Sequence, residues 1–157
     1  MNIDYNISKP LSEEFIRENK DKVDWAFISV YQKLSEDFIR EFKDKISWHC
    51  ISSYQKLSEN FIREFQDKVN MYYISENQIL SEDFIREFQD KVYWYLISEY
   101  QYLSISFIKE FKNKINWLLL LHKYGLSSYY YSSEYEKLNP NEFIDLAIRL
   151  ISLKAFQ

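Results

Sequence analysis

Two histidines and one cysteine are the side chains best suited to metal or nucleophilic chemistry, at His49, Cys50 and His122. Structural zinc takes four ligands at characteristic spacing, and these three are too few and too scattered to supply them. A cysteine–histidine nucleophile needs facing side chains, whereas adjacent positions on a helix diverge. Cys50 also stands where parallel stretches carry Phe27, Tyr73, Leu96 and Leu119, the slot of a core or half-buried residue. A second constellation is ionic. Glu59, Arg63 and Asp67, and Glu64 with Lys68, stand four apart. A carboxylate-lined site is one reading, and a salt ladder on a solvated or inter-repeat face is the other. The ladder is preferred, because the pattern recurs along the chain and five identical catalytic sites in one small protein are implausible. A single glycine leaves no phosphate-cradling loop. Four tryptophans and 14 tyrosines would stack bases or sugars, but their helical periodicity assigns them to a core. A net charge of −4 and an isoelectric point near 5.3 supply no basic groove for nucleic acid. No catalytic residue, metal ligand or cofactor is therefore assigned.

The element that positions all of these residues is a repeat. Leu80-Ser81-Glu82-Asp83-Phe84-Ile85-Arg86-Glu87-Phe88-Gln89-Asp90-Lys91-Val92 has near copies at 11–23, 34–46, 57–69 and 103–115. Successive copies start at Leu11, Leu34, Leu57, Leu80 and Leu103, a period of 23 residues. A fixed period of this size marks a chain of supersecondary units that bury their apolar faces against one another.

Each unit reads as two short helices. The first begins at Ser12, Ser35, Ser58, Ser81 or Ser104, a residue type that caps orphan N–H groups. Acidic residues follow in the first turn of the first four copies, whereas the fifth has Ile105-Ser106 and a weaker start. Its apolar stripe in the third copy is Leu57, Phe61, Ile62, Phe65 and Val69, offsets of one helix face. That span predicts a first helix of about 18 Å. In the first copy Asn19 replaces the second Phe, as expected at an end that faces water. The second helix follows Asp24, Ser47, Asn70, Tyr93 or Asn116, four of them cap formers. Its stripe is Trp25 and Ile28, Trp48 and Ile51, Met71 and Ile74, Trp94 and Ile97, then Trp117 and Leu120. Tyr31, Tyr54 and Tyr100 are read as closing the stripe. The connections lack glycine, so tight turns at Gln32-Lys33-Leu34 and Asp44-Lys45-Ile46 are expected, with one merged, kinked helix as the alternative.

Residues 1–10 read as a degenerate N-terminal half-repeat, 11–123 as five repeats, and 124–157 as a loop and a C-terminal capping helix. The loop carries the glycine and several serines, and Asn139-Pro140 starts the last helix with a cap and a first-position proline. The expected fold is all-α: an α-solenoid of five 23-residue helix pairs with a C-terminal helical cap.

The words Trp48, Ile51-Ser52, Tyr54-Gln55, Leu57-Ser58-Glu59, Phe61-Ile62-Arg63-Glu64-Phe65 and Asp67-Lys68-Val69 resemble short helical repeats in proteins of mimivirus-like giant DNA viruses. The resemblance covers about 11–123. The richness in Ile, Lys, Tyr, Phe and Asn, residues with A/T-rich codons, agrees with it. It implies a repeat class and an origin, and no enzymatic activity or site. Met71, Asn77, Ile105-Ser106 and everything after Lys123 depart from the wording.

Against this repetition, some slots of the second helix vary. They are Ala26, His49, Tyr72, Tyr95 and Leu118, then Val30, Ser53, Glu76, Glu99 and His122, then Lys33, Lys56, Ile79 and Tyr102. Packing that repeats demands residues that repeat, so this face is either free or reads a partner. The expected function is a non-enzymatic α-helical repeat scaffold for protein–protein interaction, with a structural or self-assembling, virion-type protein as the alternative. His49, Tyr72, Glu76, Tyr95, Glu99 and Tyr102 are the candidate partner-binding residues. The glutamates favour a basic protein partner. No nucleic acid, membrane or cofactor is expected, and a monomer is expected before an oligomer. One cysteine and the lack of a signal-peptide pattern at Met1-Asn2-Ile3-Asp4-Tyr5 suit the cytoplasm, of a host cell if the protein is viral, or a virion.

Overall fold

The computed structural model describes residues 10–126 and 138–154, and they are helical throughout, with no strand among them. The expected loop over 124–133 lies largely outside the described residues, as do residues 1–9. The helices are α1 (Glu13–Glu18), α2 (Trp25–Tyr31), α3 (Glu36–Glu41), α4 (Trp48–Tyr54), α5 (Glu59–Glu64), α6 (Met71–Asn77), α7 (Glu82–Glu87), α8 (Trp94–Tyr100), α9 (Ile105–Glu110), α10 (Trp117–Lys123) and α11 (Pro140–Lys154). They form two compact units, one ending at Gln78 and one beginning at Ile79. In the first unit α2 packs on α4 and α4 on α6. In the second α8 packs on α10, and α11 covers α9 and α10. This is the α-solenoid logic of repeated helix pairs, closed by a helical cap.

The odd-numbered helices of the repeats are shorter than their apolar stripe predicts. Each has six residues, about 9 Å. Phe42, where α3 stops, has φ −108° and ψ 24°, and a tight turn follows in which Lys45 N–H donates to the Phe42 carbonyl at 2.9 Å. Four of the five turns carry a further bond from the next element. Trp48 Nε1 donates to the Lys43 carbonyl at 2.9 Å, and Trp25, Trp94 and Trp117 do the same to Lys20, Gln89 and Lys112. The indole braces the turn but does not set the stop, since α5 ends at the same place and Lys68 N–H donates to the Phe65 carbonyl at 2.8 Å with Met71 in the tryptophan slot. The merged, kinked helix is thereby excluded.

Helices of six or seven residues are unstable alone, and capping with packing replaces length. Ser12, Ser35, Ser58, Ser81 and Ser104 each accept an N–H from the Phe three residues on, at 3.1–3.2 Å. The fifth start is therefore capped like the others. Ile105 stands where Glu13, Glu36 and Glu82 reach one repeat forward to accept the N–H of Ser35, Ser58 and Ser104 at 2.6 Å. Asp24, Ser47, Asn70 and Asn116 cap the second helices, and Tyr93 offers no side-chain cap.

The core is built from the recurring residues. Phe38, Phe61, Phe84 and Phe107, with the isoleucines beside them, are fully buried, as are Ile28, Ile51, Ile74, Ile97 and Leu120. The tryptophans are half-buried and tilt against the second Phe of the next odd-numbered helix, Trp25 on Phe42 at 4.9 Å. The tyrosine assignment is corrected. Tyr31, Tyr54 and Tyr100 are exposed. At about 100° per residue, Tyr31 falls roughly 60° behind Ile28, while Trp25, Ser29 and Gln32 fall ahead of it on the buried side. The residue that closes the stripe is Gln32, with Gln55, Gln78 and Gln101 after it, all buried.

Those glutamines explain how the second helices end without glycine. Gln55 Nε2 donates to the carbonyls of Ser29 (3.0 Å) and Gln32 (2.8 Å), and Gln55 Oε1 accepts the N–H of Leu34 at 3.1 Å. One amide thus satisfies three backbone groups at the exit of the preceding repeat's helix. Gln32, Gln78 and Gln101 likewise accept from Leu11, Leu57 and Leu80. The last copy has Tyr124 in this slot, and its neighbour Lys123 donates through Nζ to the Gln101 carbonyl instead. There the chain stops with Gly125 at φ +68°. Leu126 N–H bonds back to the Leu121 carbonyl at 2.7 Å and Gly125 N–H to that of His122 at 2.9 Å, the Schellman arrangement. Helix α11 opens as expected. Asn139 Oδ1 accepts from the N–H of Asn141 and Glu142, and Glu142 returns the bond to Asn139 N–H, a reciprocal capping box.

Candidate functional site

The recurring polar residues are consumed by assembly. Ser52 Oγ donates to the Trp48 carbonyl at 2.7 Å and accepts the N–H of Asn70 at 2.9 Å, so a buried hydroxyl ties one repeat to the next. Ser29 and Ser98 do the same toward Ser47 and Asn116. The charges form inter-repeat rungs. Arg17 pairs with Glu41 at 2.7 Å, Arg40 with Glu64 at 2.8 Å and Arg86 with Glu110 at 2.9 Å. Hydrogen bonding to those glutamates holds the three guanidiniums above the ordinary arginine value. A second rail pairs Lys45 with Asp21 at 2.8 Å, Lys68 with Asp44 at 3.5 Å and Lys114 with Asp90 at 3.1 Å. Hydrogen bonding to Lys45 holds the Asp21 carboxyl below the ordinary range.

Glu59 and Arg63 do form an i,i+4 pair at 3.6 Å. The expected Glu64–Lys68 pair does not form, because α5 ends at Glu64. Glu64 and Lys68 turn to Arg40 and Asp44 of the preceding repeat instead. Solvent-exposed ion pairs of this kind contribute little to stability. Their regular offset contributes register more than stability.

The varying slots lie outside this machinery. None of the 14 varying positions is buried, but the expectation of a single helix face is corrected: Lys33, Lys56, Ile79 and Tyr102 lie two residues past the ends of α2, α4, α6 and α8, where the chain is already extended at the C-cap glutamines. In the first unit His49 is exposed, and Tyr72 and Glu76 are half-buried. The His49 ring meets Tyr73 edge-on at 4.7 Å, and Tyr72 meets Tyr73 at 5.2 Å, so three rings form one aromatic group. The His49 ring thus sits in an aromatic contact beside a partly buried Cys50. In the second unit Tyr95 is exposed, Glu99 is half-buried and Tyr102 is 88% exposed. Tyr93 stands edge-on to Tyr95 at 6.4 Å, and the Lys123 ammonium lies 4.9 Å over the Tyr102 ring. Burial pushes the Lys123 ammonium below its ordinary value and the Tyr124 hydroxyl above its own. Each unit therefore presents tyrosine beside a carboxylate.

Tyr31, Tyr54 and Tyr100 are exposed too, although recurrence alone assigns them to the core. Their distance in angle from Ile28, Ile51 and Ile97 was the available signal. Among the described residues no three histidine, cysteine or carboxylate side chains converge as metal ligands would. No described helix is long and apolar enough to cross a membrane. Comparison of the chain with family models, curated proteins and solved structures finds no match.

Proposed function

We propose that this chain is a non-enzymatic α-helical repeat scaffold that binds a protein through the varying face of its second helices. The observation that carries the reading is the division of labour within each repeat. The recurring Phe, Ile, Ser and Gln are spent on burial and inter-repeat hydrogen bonds, while the 14 varying positions named above stay exposed or half-buried. In the first unit His49, Tyr72 and Glu76 form the contact, and in the second Tyr95, Glu99 and Tyr102. Tyrosine buries large area with few rotatable bonds and keeps a polar tip. Glu76 and Glu99 at the rim favour a basic partner and act mainly on its rate of association.

The scaffold works as a monomer in the cytoplasm, the host's if the chain is viral, or within a virion. Affinity capture with the purified chain, followed by mass spectrometry, tests the reading. A basic protein recovered in stoichiometric amount supports it. Light scattering that grows with concentration, with no protein captured, would instead favour a self-assembling structural protein.

A further inference from the structure

The first unit carries a groove unlike the tyrosine–glutamate groups. It is open, about 420 Å³ in volume, and is bordered by Tyr31, Lys33, Tyr54 and Lys56 over a floor that includes Leu34 and Gln55. All four bordering side chains are exposed, Tyr54 by 64%. Among the described residues neither ammonium has an ionic partner. The neighbouring carboxylates are already engaged: Glu36 and Asp37 with Arg40, and Glu59 with Arg63. The groove is thus locally basic in a chain of net charge −4. Screening over about 8–10 Å confines the influence of the remote negative charge.

From this geometry we infer that the groove binds an acidic peptide segment in polyproline-II conformation. The floor offers little for backbone pairing: the N–H of Leu34 is held by Gln55 Oε1, and the carbonyls of Ser29 and Gln32 already accept from Gln55 Nε2. Among the described residues there is also no strand whose edge a peptide could extend. Polyproline II needs no backbone partner and packs into aromatic-lined grooves. Its repeat also fits. Lys33 and Lys56 stand one repeat apart, and packed helices are separated by about 8–10 Å. Carboxylates three residues apart on such a segment share one face and stand about 9 Å apart. The two tyrosines take the apolar residues between them.

The inference rests on the reading that the exposed second-helix surface binds polypeptide, and adds a ligand class of opposite charge in the first two repeats. Fluorescence anisotropy with the full chain tests it. The probe is a labelled nonapeptide of three glutamate-proline-proline triplets. The controls are the same peptide with lysine for glutamate, and a nine-nucleotide oligouridylate. The acidic peptide binds, and more weakly as salt rises. Lys33→Glu with Lys56→Glu reduces its affinity at least about tenfold and admits the lysine peptide, with the melting curve unchanged. Tyr31→Ala with Tyr54→Ala weakens it by a similar factor. Absence of binding at millimolar protein, equal binding to the charge-reversed variant, or tighter binding of the oligouridylate overturns the inference. A Tyr72→Ala and Tyr95→Ala variant that keeps the acidic peptide but loses a captured protein separates this groove from the tyrosine–glutamate groups.

Discussion

Gln55 Nε2 donates to the carbonyl of Gln32, one repeat back, at 2.8 Å. The same amide also reaches Ser29 and Leu34, so the end of one helix is capped by a side chain of the next repeat. A helix that ends this way needs no left-handed residue, but it needs its neighbour. The solenoid geometry and the helix caps are therefore a single device.

Gln55→Ala leaves three buried backbone groups without a partner. At about 1–3 kcal/mol for each unsatisfied buried group, partly relieved by water, the expected loss is roughly 3 kcal/mol in chemical denaturation. Gln55→Glu keeps the size but turns a carboxylate toward two carbonyls. Desolvation raises the pKa of that carboxyl in the folded state, so the folded protein holds the proton more tightly than the unfolded one. Stability of the variant then falls as pH rises through and above the ordinary carboxyl range. A Glu variant as stable at pH 7 as at pH 4 would contradict the arrangement.

Adjacent serines provide an internal control. Ser52 Oγ bridges Trp48 and the next repeat's Asn70 N–H, whereas Ser53 Oγ bonds only the His49 carbonyl at 3.0 Å within its own helix. Ser52→Ala should cost about 1–3 kcal/mol, because the Asn70 N–H loses its acceptor. Ser53→Ala should fall within about 0.5 kcal/mol of the parent. Equal effects at the two positions would remove the hydroxyl tie from the account.

Core position sets the cost of truncation. Phe61 is 0% exposed and Phe15 is 38% exposed. Phe61→Ala should cost roughly 3–5 kcal/mol by loss of transfer energy and creation of a cavity. Phe15→Ala should cost distinctly less, and denaturation curves of the two variants decide the order.

Much of this was legible before any coordinates. Phe38, Phe61, Phe84 and Phe107 recur at offsets that only a helix face explains, and the serine caps stand where sequence places them. Other features were not legible. The length of the odd helices was overread, because apolar periodicity continues through Val69 while the helix stops at Glu64. The stop is a tight turn, with Lys68 N–H on the Phe65 carbonyl at 2.8 Å, that leaves the apolar spacing uninterrupted. The tyrosines at 31, 54 and 100 were assigned inward because recurrence was equated with burial, although their angle from the isoleucines pointed outward. A single glutamine at a helix end gives no sign of burial, because a polar residue there is ordinarily solvent-exposed. The recurrence of glutamine at 32, 55, 78 and 101, beside a lysine slot that changes, was the unused signal. The candidate face was legible as a set of varying slots, and the basic groove beside Tyr31 and Tyr54 was not.

The exposed rungs should show in titration more than in stability. Asp21 is held below the ordinary carboxylate range chiefly by its hydrogen bond from Lys45. A lowered folded pKa means that the rung's contribution is present above the unfolded carboxyl value and is lost as pH falls through the folded one. In an NMR titration Lys45→Ala should move the Asp21 midpoint upward, and an unmoved midpoint would show that the pair does not persist in solution.

The central claim is that the recurring Phe, Ile, Ser and Gln build the stack and that the varying Tyr72 and Tyr95 meet a partner. The most direct measurement is the double variant Tyr72→Ala with Tyr95→Ala, followed by circular dichroism, thermal melting and capture of the partner. Helicity and melting should stay nearly unchanged while recovery of the partner falls. Loss of folding in the double variant, or undiminished recovery with both tyrosines gone, would contradict the claim.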